Sequence, residues 1–188
     1  MRIKLIVSVF VTAFLGVLLY VAIAPRPTMP AAIEANQHFA EPDFEAFDIS
    51  NPKTRQALHD ITIYRLKHDN TAKVQEGLNM AYSLARNNVK PTTTLLWYVH
   101  YMGTLEEGIT EEEGFELLAD ILPQVQQAGL ELTREEGLYW LNAAAHQGQK
   151  DAMLILAIEY LKPYPAPFNP LKGLIYGKYT LFDYISNL

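Results

Sequence analysis

The sequence predicts an all-α chain in which an N-terminal transmembrane helix precedes a helical-repeat array. Three observations carry this expectation. Leu5 to Ala24 is an apolar run without a charged residue. Beyond it, apolar residues recur at spacings of three and four with few strand signals, as in Ala57, Ile61, Tyr64 and again Leu78, Ala81, Leu84, Ala85. A glycine followed by a large apolar residue then recurs, as in Gly77-Leu78, Gly114-Phe115, Gly137-Leu138 and Gly173-Leu174.

The first element, residues 1–24, is read as an anchor. A helix rises about 1.5 Å per residue, so roughly twenty apolar residues match a hydrocarbon core of about 30 Å. Arg2 and Lys4 precede the run, whereas Arg26 is followed by Glu34, Glu41 and Asp43. The positive-inside bias therefore puts the N-terminus in the cytoplasm and the remaining chain in the periplasm of a bacterium, or in the lumen of a eukaryotic endomembrane. A cleaved signal peptide is the alternative. Its support is the small-residue pattern Ala22-Ile23-Ala24, and against it stand the length of the run and Pro25 just beyond the cut.

Residues 25–52 contain Pro25, Pro27, Pro30, Pro42 and Pro52 without sustained periodicity, which reads as a semi-extended tether. Phe39, Phe44 and Phe47 are candidates for docking it onto the domain.

Residues 53–188 form the helical domain. Thr110-Glu111-Glu112-Glu113 and Thr133-Arg134-Glu135-Glu136 both read as capping boxes, in which threonine accepts a first-turn amide and the glutamate three residues on reaches back. Asn169-Pro170 marks a third helix start. The recurring glycines divide the domain into repeat-like units at 72–110 and 133–169, with a capping helix at 170–186. Segments 76–96 and 136–156 also align at an offset of sixty, pairing Glu76 with Glu136, Gly77 with Gly137, Ala85 with Ala145 and Leu96 with Leu156. Glycine inside a helix costs about 0.5 to 1 kcal/mol relative to alanine, a cost tolerated where a neighbouring backbone comes close. Gly77, Gly137, Trp140, Ala144, Ala145, Ala152, Leu156 and Tyr160 are accordingly read as packing residues, and Gly148 as a left-handed helix cap.

The run Gly137, Leu138, Trp140, Leu141, Ala144, Ala145, Gly148, Ala152, Leu156, Ala157, Tyr160 and Leu161 resembles a Sel-one-like repeat, a relative of the tetratricopeptide repeat. The resemblance is specific over 134–162, weaker over 72–114, and covers about half of the chain. It implies antiparallel helix pairs of about 36 residues stacked as a short α-solenoid, with scaffolding and complex assembly as the role. Glycine in this chain stands where the family usually has alanine.

Composition narrows the function classes. The 188 residues carry 15 Lys plus Arg against 21 Asp plus Glu, a net charge of −6, which disfavours nucleic-acid binding. There is no cysteine, so thiolate chemistry and disulfides are excluded. His38, His59, His68, His100 and His146 lack metal-ligand spacing, and the chain has no phosphate loop or nucleophile elbow. No enzyme activity, metal or cofactor is expected.

The expected partner is a protein. Glu106, Glu107, Glu111, Glu112, Glu113, Glu116, Asp120 and Glu131 fall between Pro91 and Thr133, a stretch without Lys or Arg. This is either helix-dipole complementation on a solvated face or a docking patch for a basic surface, with Glu106, Glu107, Glu112 and Glu116 as its candidates. In the cluster Trp97 to Met102, Trp97 and Tyr101 suit a core, while Tyr98 and Met102 are candidate partner contacts. The aromatic-rich tail through Tyr176, Tyr179, Phe182 and Tyr184 caps the array or docks into a partner. The leading expectation is a membrane-anchored, periplasm-facing adaptor; the alternative is an immunity or inhibitor protein occluding a cognate enzyme or toxin.

Overall fold

A computed structural model describes residues 2–30, Asn36, Phe39, 47–104, 115–162 and 169–185; for 2–11, Met102, 115–116 and 182–185 it describes the backbone alone. The described residues form eight α-helices and no strand. The chain divides into two compact units, one of residues 1–28 with 150–188 and one of 29–149.

The unit 29–149 is built from α2 (Pro52–Leu66), α3 (Thr71–Arg86), α4 (Lys90–Trp97) continued by a π-helical turn (Tyr98–Met102), α5 (Phe115–Gln127) and α6 (Arg134–His146). The starts of α2, α3 and α6 are set by side chains. Asn51 Oδ1 accepts from Lys53 N at 2.9 Å, Asn70 Oδ1 from Ala72 N at 2.9 Å, and Thr133 Oγ1 from Glu136 N at 3.3 Å. The ends of α3, α5 and α6 share one closure. After α3, Asn88 N bonds Ala85 O and Val89 N bonds Leu84 O; after α5, Gly129 N bonds Gln126 O and Leu130 N bonds Val125 O. After α6, Gly148 N bonds Ala145 O and Gln149 N bonds Ala144 O. The φ angles of Asn88, Gly129 and Gly148 are 59°, 92° and 80°, the left-handed cap that such closures need. The α3 and α6 closures lie sixty residues apart, at the offset of the sequence alignment.

Gly137 marks where α6 crosses the π turn. A Cβ there would stand 2.9 Å from both N and Cα of Tyr101, closer than side chains tolerate. At Gly77 it would meet Arg65 Cβ at 3.0 Å and Leu66 Cδ2 at 3.1 Å, on the α2 side of α3. The core of this unit includes Leu78, Leu84, Leu96, Trp97, Leu118, Ile121, Trp140, Leu141, Ala144 and Ala145.

The unit of 1–28 and 150–188 contains α1 (Arg2–Ile23), α7 (Lys150–Glu159) and α8 (Pro170–Ile185). Pro170 opens α8, and Asn169 Oδ1 accepts from Lys172 N at 3.1 Å, as the third start predicts. Contacts move down α7 as they move up α8, so the two are antiparallel. Asn169 N bonds Tyr160 O, and a Cβ on Gly173 would meet Ala157 O at 2.8 Å and Leu161 Cγ at 3.0 Å. Ala152, Leu156, Tyr160, Ile175 and Tyr176 are buried there, and the Tyr160 and Tyr176 rings stack at 5.9 Å.

One expectation is corrected, the transmembrane anchor at Leu5 to Ala24: among the described residues, no helix is long and apolar enough to cross a membrane. The end of the run is held by polar groups, with Lys178 Nζ donating to Ala24 O at 2.6 Å and the Arg26 guanidinium 4.9 Å from the Tyr179 ring centre. The expected single-pass placement, with a cytoplasmic N-terminus and a periplasmic domain, loses its basis. The periodicity of Ala57, Ile61 and Tyr64 does mark a helix, α2, in which these three face outward and Leu58, His59, Thr62 and Leu66 face inward. Thr62 can face inward because its Oγ1 donates to Leu58 O at 2.7 Å, which leaves no unmet polar group.

Gly137→Ala is expected to lower stability by about 1 kcal/mol or more despite the better helix propensity of alanine, because the obstacle is backbone. Gly77→Ala, facing mainly movable side-chain atoms, loses less. Urea denaturation of the two variants distinguishes them, and equal losses would count against the close contact.

Candidate functional site

The sequence-predicted residues separate into three groups. Gly77, Gly137, Trp140, Ala144, Ala145, Ala152, Leu156 and Tyr160 are buried packing residues, and Gly148 is the cap of α6. Tyr98 is half-buried with its ring 4.2 Å from that of Trp97. Glu106, Glu107, Glu112 and the Thr110 helix start lie outside the described residues, while Met102 and Glu116 are described in backbone only. The acidic stretch is thus placed only from Leu117 onward.

A buried polar network was not legible as such. Glu136 is 3% exposed, and instead of closing the predicted capping box its carboxylate points inward. Tyr82 Oη donates to Glu136 Oε1 at 2.7 Å, Trp140 Nε1 donates to the same oxygen at 3.3 Å, and Asn36 Nδ2 donates to Oε2. Asn36 is fixed in turn by Glu131, donating to its carbonyl at 3.0 Å and accepting from its amide at 3.2 Å. The single phenolic proton of Tyr82 goes to Glu136, so its oxygen accepts from His100 Nε2–H at 2.7 Å. This assigns the neutral Nε2–H tautomer. His100 Nδ1 is then a bare acceptor, buried without a hydrogen-bond partner among the described residues. Phe39 stacks on Tyr82 at 5.4 Å, so this phenylalanine does dock the tether, whereas Phe47 is exposed and Phe44 lies outside the described residues.

Burial, opposed by the Glu136 charge, holds the His100 imidazole down to about 4. Burial, reinforced by Glu136, pushes the Tyr82 phenol well above its ordinary range. In a cleft, Tyr, His and Glu at these distances would suit proton transfer. Here Tyr82, His100 and Glu136 are 2%, 0% and 3% exposed, so no substrate atom reaches them. The network pins α3, the π turn and α6 to the tether.

An open cleft lies at the C-terminal ends of α3 and α6. Its volume is about 180 Å³, and its lining includes Arg86, Asn88, Tyr139, Trp140, His146 and Gln147. Gln147 Nε2 donates to Thr93 Oγ1 at 3.0 Å, while Gln147 Oε1 and His146 Nε2 are buried without a hydrogen-bond partner among the described residues. Tyr139 meets Trp140 edge to face at 5.0 Å, so the Trp140 side chain belongs both to the network and to the cleft wall. No group of three or more His, Cys, Asp or Glu among the described residues is placed to hold a metal ion.

No family model matches the chain, and neither a curated protein nor a solved structure matches it.

Two predictions follow from the network. Glu136→Leu leaves the Tyr82 hydroxyl, the Trp140 N–H and the Asn36 amide without their acceptor, and stability is expected to fall by about 3 kcal/mol or more. Glu136→Gln, which keeps one acceptor oxygen, falls less; urea unfolding measures both. Acid is the second probe. The unfolded chain protonates His100 at about 6.5 and the folded chain only at about 4, so the unfolded state binds the extra proton first. Stability is intact above about 6.5 and is lost as the pH falls toward 4, by on the order of 3 kcal/mol. His59, also lowered by burial, adds in the same direction. His100→Gln should flatten this loss, and an unchanged pH profile would count against the neutral tautomer.

Proposed function

We propose that the chain is a helical-repeat protein-binding module, and that it grips a segment of another protein at the cleft beside α3 and α6. The cleft carries this reading, being the place where polar and aromatic side chains converge at an open surface. Arg86 is exposed, and His146 and Tyr139 are partly so, which suits a segment offering an acidic group beside an apolar one. The repeat reading, which the resemblance to Sel-one-like repeats suggested, is supported by the matched helix closures at Asn88 and Gly148. Adaptor function is the corresponding role, since modules of this kind hold partners without altering them.

The test is cross-linked co-purification of the tagged full-length chain from its own cells. Beside it run an Arg86→Glu/Tyr139→Ala variant and a variant with Glu106, Glu107, Glu112 and Glu116 changed to glutamine. Loss of the main partner by about tenfold or more in the cleft variant, with circular dichroism unchanged, is the expected result. Unchanged recovery there, with loss in the glutamine variant, would move binding to the acidic stretch.

A further inference from the structure

The unit of 1–28 and 150–188 carries an apolar face that its own helices leave open. On α7 and the residues just after it, Leu154, Ile158 and Leu161 are 48%, 46% and 48% exposed. On α8, Leu171, Leu174 and Leu181 are 41%, 44% and 59% exposed. These leucines and isoleucine share one side. Measured from the contact at Ala157 and Gly173, the α7 stripe lies about 40° to 100° round its helix and Leu174 and Leu181 about 80° to 100° round theirs, in the same sense. In an antiparallel pair equal rotations bring residues to the same face, with Leu171 at its edge.

At these exposures the six side chains leave on the order of 500 Å² of apolar surface open, toward the upper end of what a monomer carries. That is about the apolar share of an 800 Å² half-interface. The charges at its margin are self-complementary. Asp151 is exposed at the start of α7, and Lys162 lies just beyond its end on the same rim of the stripe, 52% exposed and bonded to Glu159 Oε1 at 2.9 Å. A two-fold axis crossing α7 midway between these ends superposes the Leu154, Ile158 and Leu161 stripe on its own copy. The same axis brings Asp151 of one chain to Lys162 of the other. A stripe with opposite charges at its two ends complements its own rotated copy, which is the property an isologous contact requires.

We propose that this face is a self-association surface, covered by a second copy of the chain packed two-fold through α7 and α8. The inference is independent of the cleft reading. Because the chain has no cysteine, one introduced thiol reports without background.

The experiment is sedimentation equilibrium of the full-length chain over about a hundredfold concentration range. The expected result is a concentration-dependent dimer whose dissociation constant rises at least about tenfold in Ile158→Glu and rises measurably in Asp151→Lys. Ile61→Glu, on the exposed face of α2, should behave as the unsubstituted chain. Under mild oxidation Ile158→Cys should form disulfide dimers and Tyr64→Cys should not. A chain that stays monomeric throughout, dimers indifferent to Ile158→Glu, or equal cross-linking at positions 64 and 158 would each overturn the proposal. A dimer weakened by Ile158→Glu but strengthened by Asp151→Lys would overturn the two-fold charge pairing.

Discussion

The unit of residues 29–149 depends on one buried carboxylate. Glu136 sits 3% exposed on α6 and accepts hydrogen bonds from α3, from its own helix and from the tether. Taking such a charge out of water costs several kcal/mol unless its oxygens are met, and here both are. The demand then propagates. Tyr82 can serve Glu136 only by giving away its proton, which leaves its oxygen to be supplied by His100, and the π turn carries His100 to complete burial. Asn36, far away in sequence, is drawn in and held by both backbone groups of Glu131. A hydrophobic core alone tolerates small slips in register; a network with this many directional bonds does not.

Glycine does the complementary work of letting the helices come near enough. At Gly137 the α6 backbone passes the Tyr101 backbone with no room for a methyl group, one residue from the carboxylate that bonds across the same junction. The adjacency of Gly137 and Glu136 is therefore one feature, a close approach and the polar lock it permits. The other unit repeats the first half alone: Gly173 lets α8 close on Ala157, and the contact around it is stacked tyrosine.

The helices were legible because capping and periodicity are local properties. Thr133, Asn169-Pro170 and Gly148 act as the sequence suggests, and the offset of sixty between the first and second repeat-like segments reappears as identical helix closures. Asn88 fills the place of Gly148 and was not singled out, although asparagine is the residue that best tolerates a left-handed cap after glycine. Which face of a helix turns inward was less legible. Helix α2 has apolar groups on more than one side, and the choice of Leu58 and Leu66 over Ile61 and Tyr64 is made by what α3 brings against it. The apolar N-terminal run misled for a different reason: its composition matches a span, yet no helix among the described residues is long and apolar enough to cross a membrane, and the chain just after the run is held by Lys178 donating to Ala24 O. Glu136 was read as half of a capping box because three-residue spacing is visible in sequence, whereas donors at positions 36, 82 and 140 converge only in three dimensions.

That convergence also bears on the open cleft. Trp140 gives its N–H to Glu136 while its ring lines the cleft beside Tyr139, so one wall is fixed from behind by the buried carboxylate. Binding to a surface already held in place loses little side-chain freedom, and a larger share of the contact energy then appears as affinity. Arg86 stands on different terms: exposed and long, it holds its guanidinium 5.8 Å from the Tyr82 ring centre and brings positive charge to the rim. The cleft thus joins a rigid aromatic wall to an exposed cation, and under the proposed binding role the apolar part of a ligand would be selected by shape and the charged part by attraction. The buried histidine and phenol take no part in such contact; their role is to make the wall stiff.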